Sequence, residues 1–135
     1  MKILIFGNGN LGFEDFLELY AKPLKEALKN PENEFIVGDF RGTDTLAMEF
    51  LKTQTAKVRV YHIGEKPRYL PDAFKTQVKN WQIIGGYLSD TARDEAMISI
   101  CTHFIGFDFN SDETRKSGTQ KNIAKCLSLS KERLF

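Results

Sequence analysis

The chain has 135 residues, 41% of them apolar and 27% charged, with a formal net charge of +1 and only two cysteines. That length suits one domain over residues 1–135 with a real hydrophobic core, and the composition is that of a globular chain, neither disordered nor membrane-spanning. The small net charge disfavours nucleic acid as a partner, because nucleic-acid binders usually gather a basic excess on one face. Cys101 and Cys126 have no CxxC or Cys/His spacing and read as reduced core thiols, so neither a metal nor a cofactor is expected.

The first apolar run, Lys2 to Phe6, is stopped by glycine and reads as a buried strand. It is too short for the apolar region of a secretory leader, which makes a cytoplasmic location the expectation. Gly7-Asn8-Gly9-Asn10-Leu11-Gly12 then matches GxGxxG between a strand and a helix, the placement of a dinucleotide fingerprint. The acidic partner that such a site needs falls on Asp39, inside a second glycine turn instead of closing a plain strand. A nucleotide-facing turn and a merely tight turn therefore both remain open. Phe13, Phe16, Leu17, Tyr20, Leu24, Ala27 and Leu28 recur at helical spacing, with Pro23 expected to kink or split the helix.

Glu34 to Val37 is a second strand, and it runs into Gly38-Asp39-Phe40-Arg41-Gly42-Thr43-Asp44 before a helix marked by Leu46, Ala47, Phe50 and Leu51. Here the glycines permit a sharp turn, and Thr43 or Asp44 is expected to cap the helix. Arg41, between two glycines at a strand's carboxyl end, stands where ligands bind in such folds. Lys57 to His62 alternates into a third strand. From Gly64 to Leu88 the period is lost, with a short helix expected from Asp72 to Asn80. Trp81, Tyr69 and Tyr87 in that stretch could stack on a base or serve core or subunit contact. Ser89 to Cys101 is helical, His103 to Phe107 a fourth strand, and Thr119 to Ser130 the last helix. Arg93 adds a cation to the same rim, unless Asp90 or Asp94 takes it as an ordinary helix ion pair. Asp94 and Glu95 diverge on their helix and read as a solvated face. His62 and His103 have no partner pattern for a metal or nucleophile. Ser117-Gly118-Thr119 opens the last helix, where Ser117 and Gln120 form a capping box that competes with any anion for the same amides.

Strands alternating with helices call for an α/β fold, a three-layer Rossmann-like sandwich with a mostly parallel sheet of four to five strands. Its ligand edge lies beyond the carboxyl ends of the strands. The expected ligand is a nucleotide or another phosphorylated small molecule. Its phosphate is expected between the amides of Gly118-Thr119 and Gly42-Thr43, with Arg41 and Arg93 as charged donors and the base toward Asn8 to Asn10. The site set is thus Gly7, Asn8, Gly9, Gly38, Arg41, Gly42, Thr43, Asp44, Arg93, Ser117, Gly118 and Thr119. The aromatic content, 12%, with several rings in irregular segments, suggests surface left for a second copy in a homodimer.

Taken in order, the first glycine turn, Gly38-x-x-Arg41-Gly42-x-Asp44 with Leu46-Ala47, Arg93-x-x-x-Met97 and Ser117-Gly118-Thr119 resemble the SLOG superfamily of Rossmann-like nucleotide-binding proteins. That group includes the LOG phosphoribohydrolases, the DNA-processing protein A family and small stand-alone domains, which the chain resembles most. The resemblance implies nucleotide binding. It also implies a rival activity, N-glycosidic hydrolysis or transfer on nucleoside monophosphates, for which LOG enzymes use a helix arginine and a glutamate. Arg93 matches the arginine, but the glutamate position falls on Asn122, which cannot act as a general base. On that rival reading Asp44, Asp90 or Glu95 supplies the carboxylate.

Overall fold

The computed structural model describes residues 1–135. Six strands form one all-parallel sheet: β1 (Lys2–Gly7), β2 (Glu34–Val37), β3 (Val58–Ile63), β4 (Gln82–Tyr87), β5 (His103–Phe107) and β6 (Glu132–Arg133). Their order across the sheet is β4-β3-β2-β1-β5-β6. The chain steps outward from β1 through β2, β3 and β4, then returns to the other side of β1. The gap between β1 and β5 is therefore the switch point, where the loops after the two strands part and leave a crevice.

Side chains of successive strand residues alternate between two cores. Ile3, Ile5, Phe35, Val37 and Val60 pack on α1 (Phe13–Leu19), α2 (Ala21–Leu28) and α3 (Thr43–Leu51) through Phe16, Tyr20, Leu24, Met48 and Leu51. Leu4, Phe6, Ile36 and Phe104 pack on α4 (Asp90–Ile100) and α5 (Gly118–Ser128) through Met97, Ile98 and Ile123. The three-layer expectation holds. The sheet has one strand more than the four to five expected, and it is parallel throughout.

Local chemistry explains the details. Pro23 has no N–H for the Leu19 carbonyl, and the long amphipathic helix is split at Tyr20 into α1 and α2. The helix expected over Asp72 to Asn80 reduces to a 3₁₀ turn at Val78–Asn80, because Asp72 and Thr76 turn their oxygens onto nearby backbone groups. The strand β4 hid behind Gly85 and Gly86. The His62 ring lies where a side chain at Gly85 would stand, and the strand is half-exposed at the sheet edge. The two-residue β6 carries only polar side chains and gave no apolar signal. No helix is long and apolar enough to cross a membrane.

Candidate functional site

The crevice at the switch point opens into a cavity of about 630 Å³, within the size range of small-molecule sites. Its walls come from the loops after β1, β2 and β5 and from the first turns of α4 and α5.

Asn8 ties these walls together. Its carbonyl accepts from the Thr43 amide (3.2 Å) and the Thr43 hydroxyl (3.0 Å). Its side-chain oxygen accepts from the Phe109 amide (2.8 Å), and its Nδ2 donates to Asp108 (2.9 Å) and Thr119 (3.3 Å). Beneath it the buried Tyr20 hydroxyl donates to the Phe6 carbonyl (2.8 Å) and accepts from the Phe107 amide (3.0 Å), bridging β1 and β5 where they part. Burial pushes the Tyr20 phenol up to about 12, so it stays a neutral donor.

On the α5 side only half of the expected capping box forms: Ser117 accepts from the Gln120 amide (3.0 Å) and its hydroxyl donates to Asp108 (2.6 Å), but its own amide donates to Ser111 Oγ (2.9 Å) and not to the Gln120 side chain. Burial works to raise the Asp108 carboxyl, but hydrogen bonds from Ser111, Ser117, Asn8 and the Asn110 amide outweigh it and hold the group down at about 2. The amides of Gly118 and Thr119 bond to no protein group, and both residues face the cavity. At Gly118 an added Cβ meets nothing within 4 Å. The exposed Arg115 lines the same wall, its charge helping to lower the neighbouring Asp112 carboxyl.

The opposite wall is acidic. Arg93, 4% exposed, is gripped by three aspartates: Nη1 meets Asp39 (2.7 Å) and Asp90 (3.0 Å), while Nη2 and Nε reach Asp94 Oδ1 (2.9 and 3.1 Å). Asp39 also receives Arg68, through its amide (2.8 Å), Nε (3.2 Å) and Nη2 (2.8 Å). Burial works to raise Asp39, and the Arg68 and Arg93 bonds hold it below the usual carboxylate range. Asn122 donates to the second oxygen of Asp94 (3.0 Å).

Asp44 belongs to this wall but to none of these pairs. It is 6% exposed; Oδ2 accepts from the Phe40 amide (3.1 Å), and Oδ1 has no protein partner yet is not sealed off. Asp44 lines the cavity, so that oxygen meets the open space. Burial pushes its carboxyl up to about 7, with Arg93 and the Phe40 amide pulling down and Asp94 and Asp39 pushing up. Gly38 makes this placement possible, since a Cβ there stands 2.7 Å from Asp44 Oδ2 and 3.1 Å from Arg93 Cζ.

Of the residues marked in the sequence, Gly7, Asn8, Gly9, Arg41, Asp44, Arg93, Ser117, Gly118 and Thr119 come together on the cavity wall. Gly38, Gly42 and Thr43 stand behind it. The Thr43 amide is engaged by Asn8 and so does not face an anion, and Gly42, at φ +75°, packs its backbone against Gly9 and Asn8. The helix cap expected of Thr43 or Asp44 is likewise corrected: the N-cap is Gly42, and both side chains bond outside the helix. Arg41 is exposed at the rim, its guanidinium 5.0 Å from the centre of the Phe40 ring and free of any carboxylate. Trp81 is buried with its indole on the Thr55 carbonyl (2.9 Å), Tyr69 bonds Glu49 (2.7 Å), and Tyr87 stacks on Tyr61, so none of the three lines the cavity. Sequence reasoning left Phe40 and Asn110 out of the site and reached Asn10 only as the limit of the base region. The two asparagines bond reciprocally across its mouth (2.9 and 3.4 Å), a pairing of side chains 100 positions apart that only the sheet order reveals.

A parallel sheet covered on both faces, with a ligand-sized cavity at its switch point, defines a Rossmann-like α/β protein. No protein-family model and no curated protein matches the chain. Among solved structures it is similar to DNA processing protein A from Helicobacter pylori, described for a unique single-stranded DNA binding mode. The TM-score is 0.60 at 13% identity, over 100% of this chain and 75% of that one. This likeness overturns the expectation that disfavoured nucleic acid. Net charge is a sum over the whole molecule and does not report arrangement: here Arg41 stands at the rim without an ion pair while Asp39, Asp90 and Asp94 are engaged by Arg68 and Arg93.

Proposed function

We propose that the cavity binds a nucleotide or nucleotide-derived phosphate, in the manner of the SLOG proteins the sequence resembles. The observation that carries this reading is the pair of free amides at Gly118 and Thr119. They open an eleven-residue helix onto the cavity, and the helix dipole adds partial positive charge at that end. The phosphate sits on these amides, flanked by Arg115 and Arg41, and the base lies toward Asn8 to Asn10 and the Phe40 ring. Arg93 acts differently from the sequence expectation. With its fork on three aspartates it shapes the acidic wall instead of reaching for phosphate.

Titration calorimetry with a panel of nucleoside 5′-monophosphates and the matching nucleosides tests the reading. Monophosphates are expected to bind and nucleosides to bind far more weakly. Equal affinity for both overturns it.

A second reading is favoured by the likeness to DNA processing protein A: the same rim holds a phosphate of single-stranded DNA. Oligothymidylate binding tighter than any mononucleotide, with affinity falling steeply as salt rises, selects that reading.

A further inference from the structure

The cavity offers its ligand two unlike ends. At the first turn of α5 the cavity meets donors: two free amides, with the Arg115 guanidinium beside them. Across from it Asp44 presents an oxygen that no protein group satisfies, on a side chain 6% exposed. A buried carboxyl left half-bonded is costly unless something in the cavity completes it. Its natural cationic partner, Arg93, is already taken by Asp39, Asp90 and Asp94.

We propose that Asp44 holds a sugar hydroxyl of the ligand, so that the site prefers ribose phosphates to their 2′-deoxy counterparts. This rests on the reading of the cavity as a nucleotide-phosphate site.

Geometry supplies the first support. Asp44 stands over the end of β2, and α5 follows β5, with β1 between them. Two inter-strand spacings make about 10 Å, more than a phosphate hydrogen-bonded at both ends spans, so the group that meets Asp44 lies beyond the phosphate. The chemistry of the partner supplies the second. A hydroxyl both donates and accepts, so it satisfies Oδ1 whether the carboxyl is ionised or protonated. An ammonium fits only the ionised form and a phosphate oxygen only the protonated one. Burial that pushes Asp44 up to about 7 makes both forms present near neutrality.

The test compares ribose 5-phosphate with 2-deoxyribose 5-phosphate, and AMP with dAMP, by calorimetry on the whole chain. The wild type is expected to favour the ribo member of each pair by about tenfold. Asp44→Ala is expected to bring each pair to parity. Asp44→Asn, which keeps an acceptor for the Phe40 amide and hence the fold, is expected to retain part of the preference. Equal wild-type affinities within both pairs overturn the hydroxyl assignment and leave the phosphate site standing. So does a ribo preference that Asp44→Ala leaves intact while the variant melts as a folded protein. Failure of all four compounds to bind overturns the phosphate reading and this one with it.

Discussion

Arg41 and Gly118 make separable contributions at the level of single residues. Arg41 is exposed and holds no ion pair, so Arg41→Ala removes the proposed charge-assisted contact to phosphate without disturbing the core. Such a contact is worth about 1.5 to 3 kcal/mol, with the lower end expected at an exposed rim. Monophosphate binding is expected to weaken by about tenfold in calorimetry while nucleoside binding stays level. Equal losses for both would assign Arg41 to the base pocket. At Gly118 there is open space where a side chain would go, so Gly118→Val is expected to abolish phosphate binding and leave the melting temperature of the free protein within a few degrees. A large drop in that temperature would show a backbone role instead.

Asp44 gives the molecule a pH dependence of definite sign. An unfolded aspartate titrates at about 3.9, whereas burial pushes the folded group up to about 7. Between those values the folded chain retains a proton that the unfolded chain has lost. Stability from this group is therefore complete below about pH 4 and declines as pH rises to about 7. Asp39 and Asp108 are shifted the opposite way, and their contributions are lost only on acidification below about pH 4, outside that interval. Thermal melts from pH 5 to 8 are expected to fall for the wild type and to stay flatter for Asp44→Asn, which should be the more stable protein at pH 8. A variant that falls as steeply as the wild type would place the titrating group elsewhere.

At the scale of elements, the two glycine turns have diverged in use. The β2–α3 turn is a joint: Gly42 takes φ +75°, and a Cβ there stands 2.5 Å from the Gly9 carbonyl oxygen. Gly42→Ala combines an unfavourable backbone region with a backbone clash and is expected to lower stability by about 2 kcal/mol or more in chemical denaturation. No loss would mean that the loop relaxes freely and that the Asn8–Thr43 bond does not fix it. The β5–α5 turn is the open one. Both turns were legible in sequence because glycine after an apolar run is a strong punctuation mark. Their difference was not, since it depends on which amides Asn8 reaches from another strand. The same holds for Arg93. Its helix neighbours Asp90 and Asp94 were visible at short spacing, whereas Asp39, 54 residues away, arrives only through the sheet. Four strands and the helix faces were readable from period alone. The fifth and sixth were not, because β4 carries paired glycines and β6 has no apolar residue.

On the scale of the whole molecule, the acidic wall bears on catalysis. Asn122, the residue that the sequence resemblance sets against the LOG glutamate, lines the cavity and holds Asp94. Incubation with nucleoside monophosphates is expected to release little or no free base. Clear release, abolished by Asp44→Asn in a folded protein, would establish the hydrolase alternative.

Asn8 sets how such a site can change. Through one residue, the segments after β1, β2 and β5 share five hydrogen bonds, and none of those segments can be re-aimed while the other two stay still. The pocket behaves as a single machined part, not as three adjustable fingers. A new ligand is accommodated by exchanging side chains at its rim, such as Arg41, Asn10 and Arg115, and remodelling its floor requires replacing Asn8 and all its partners together.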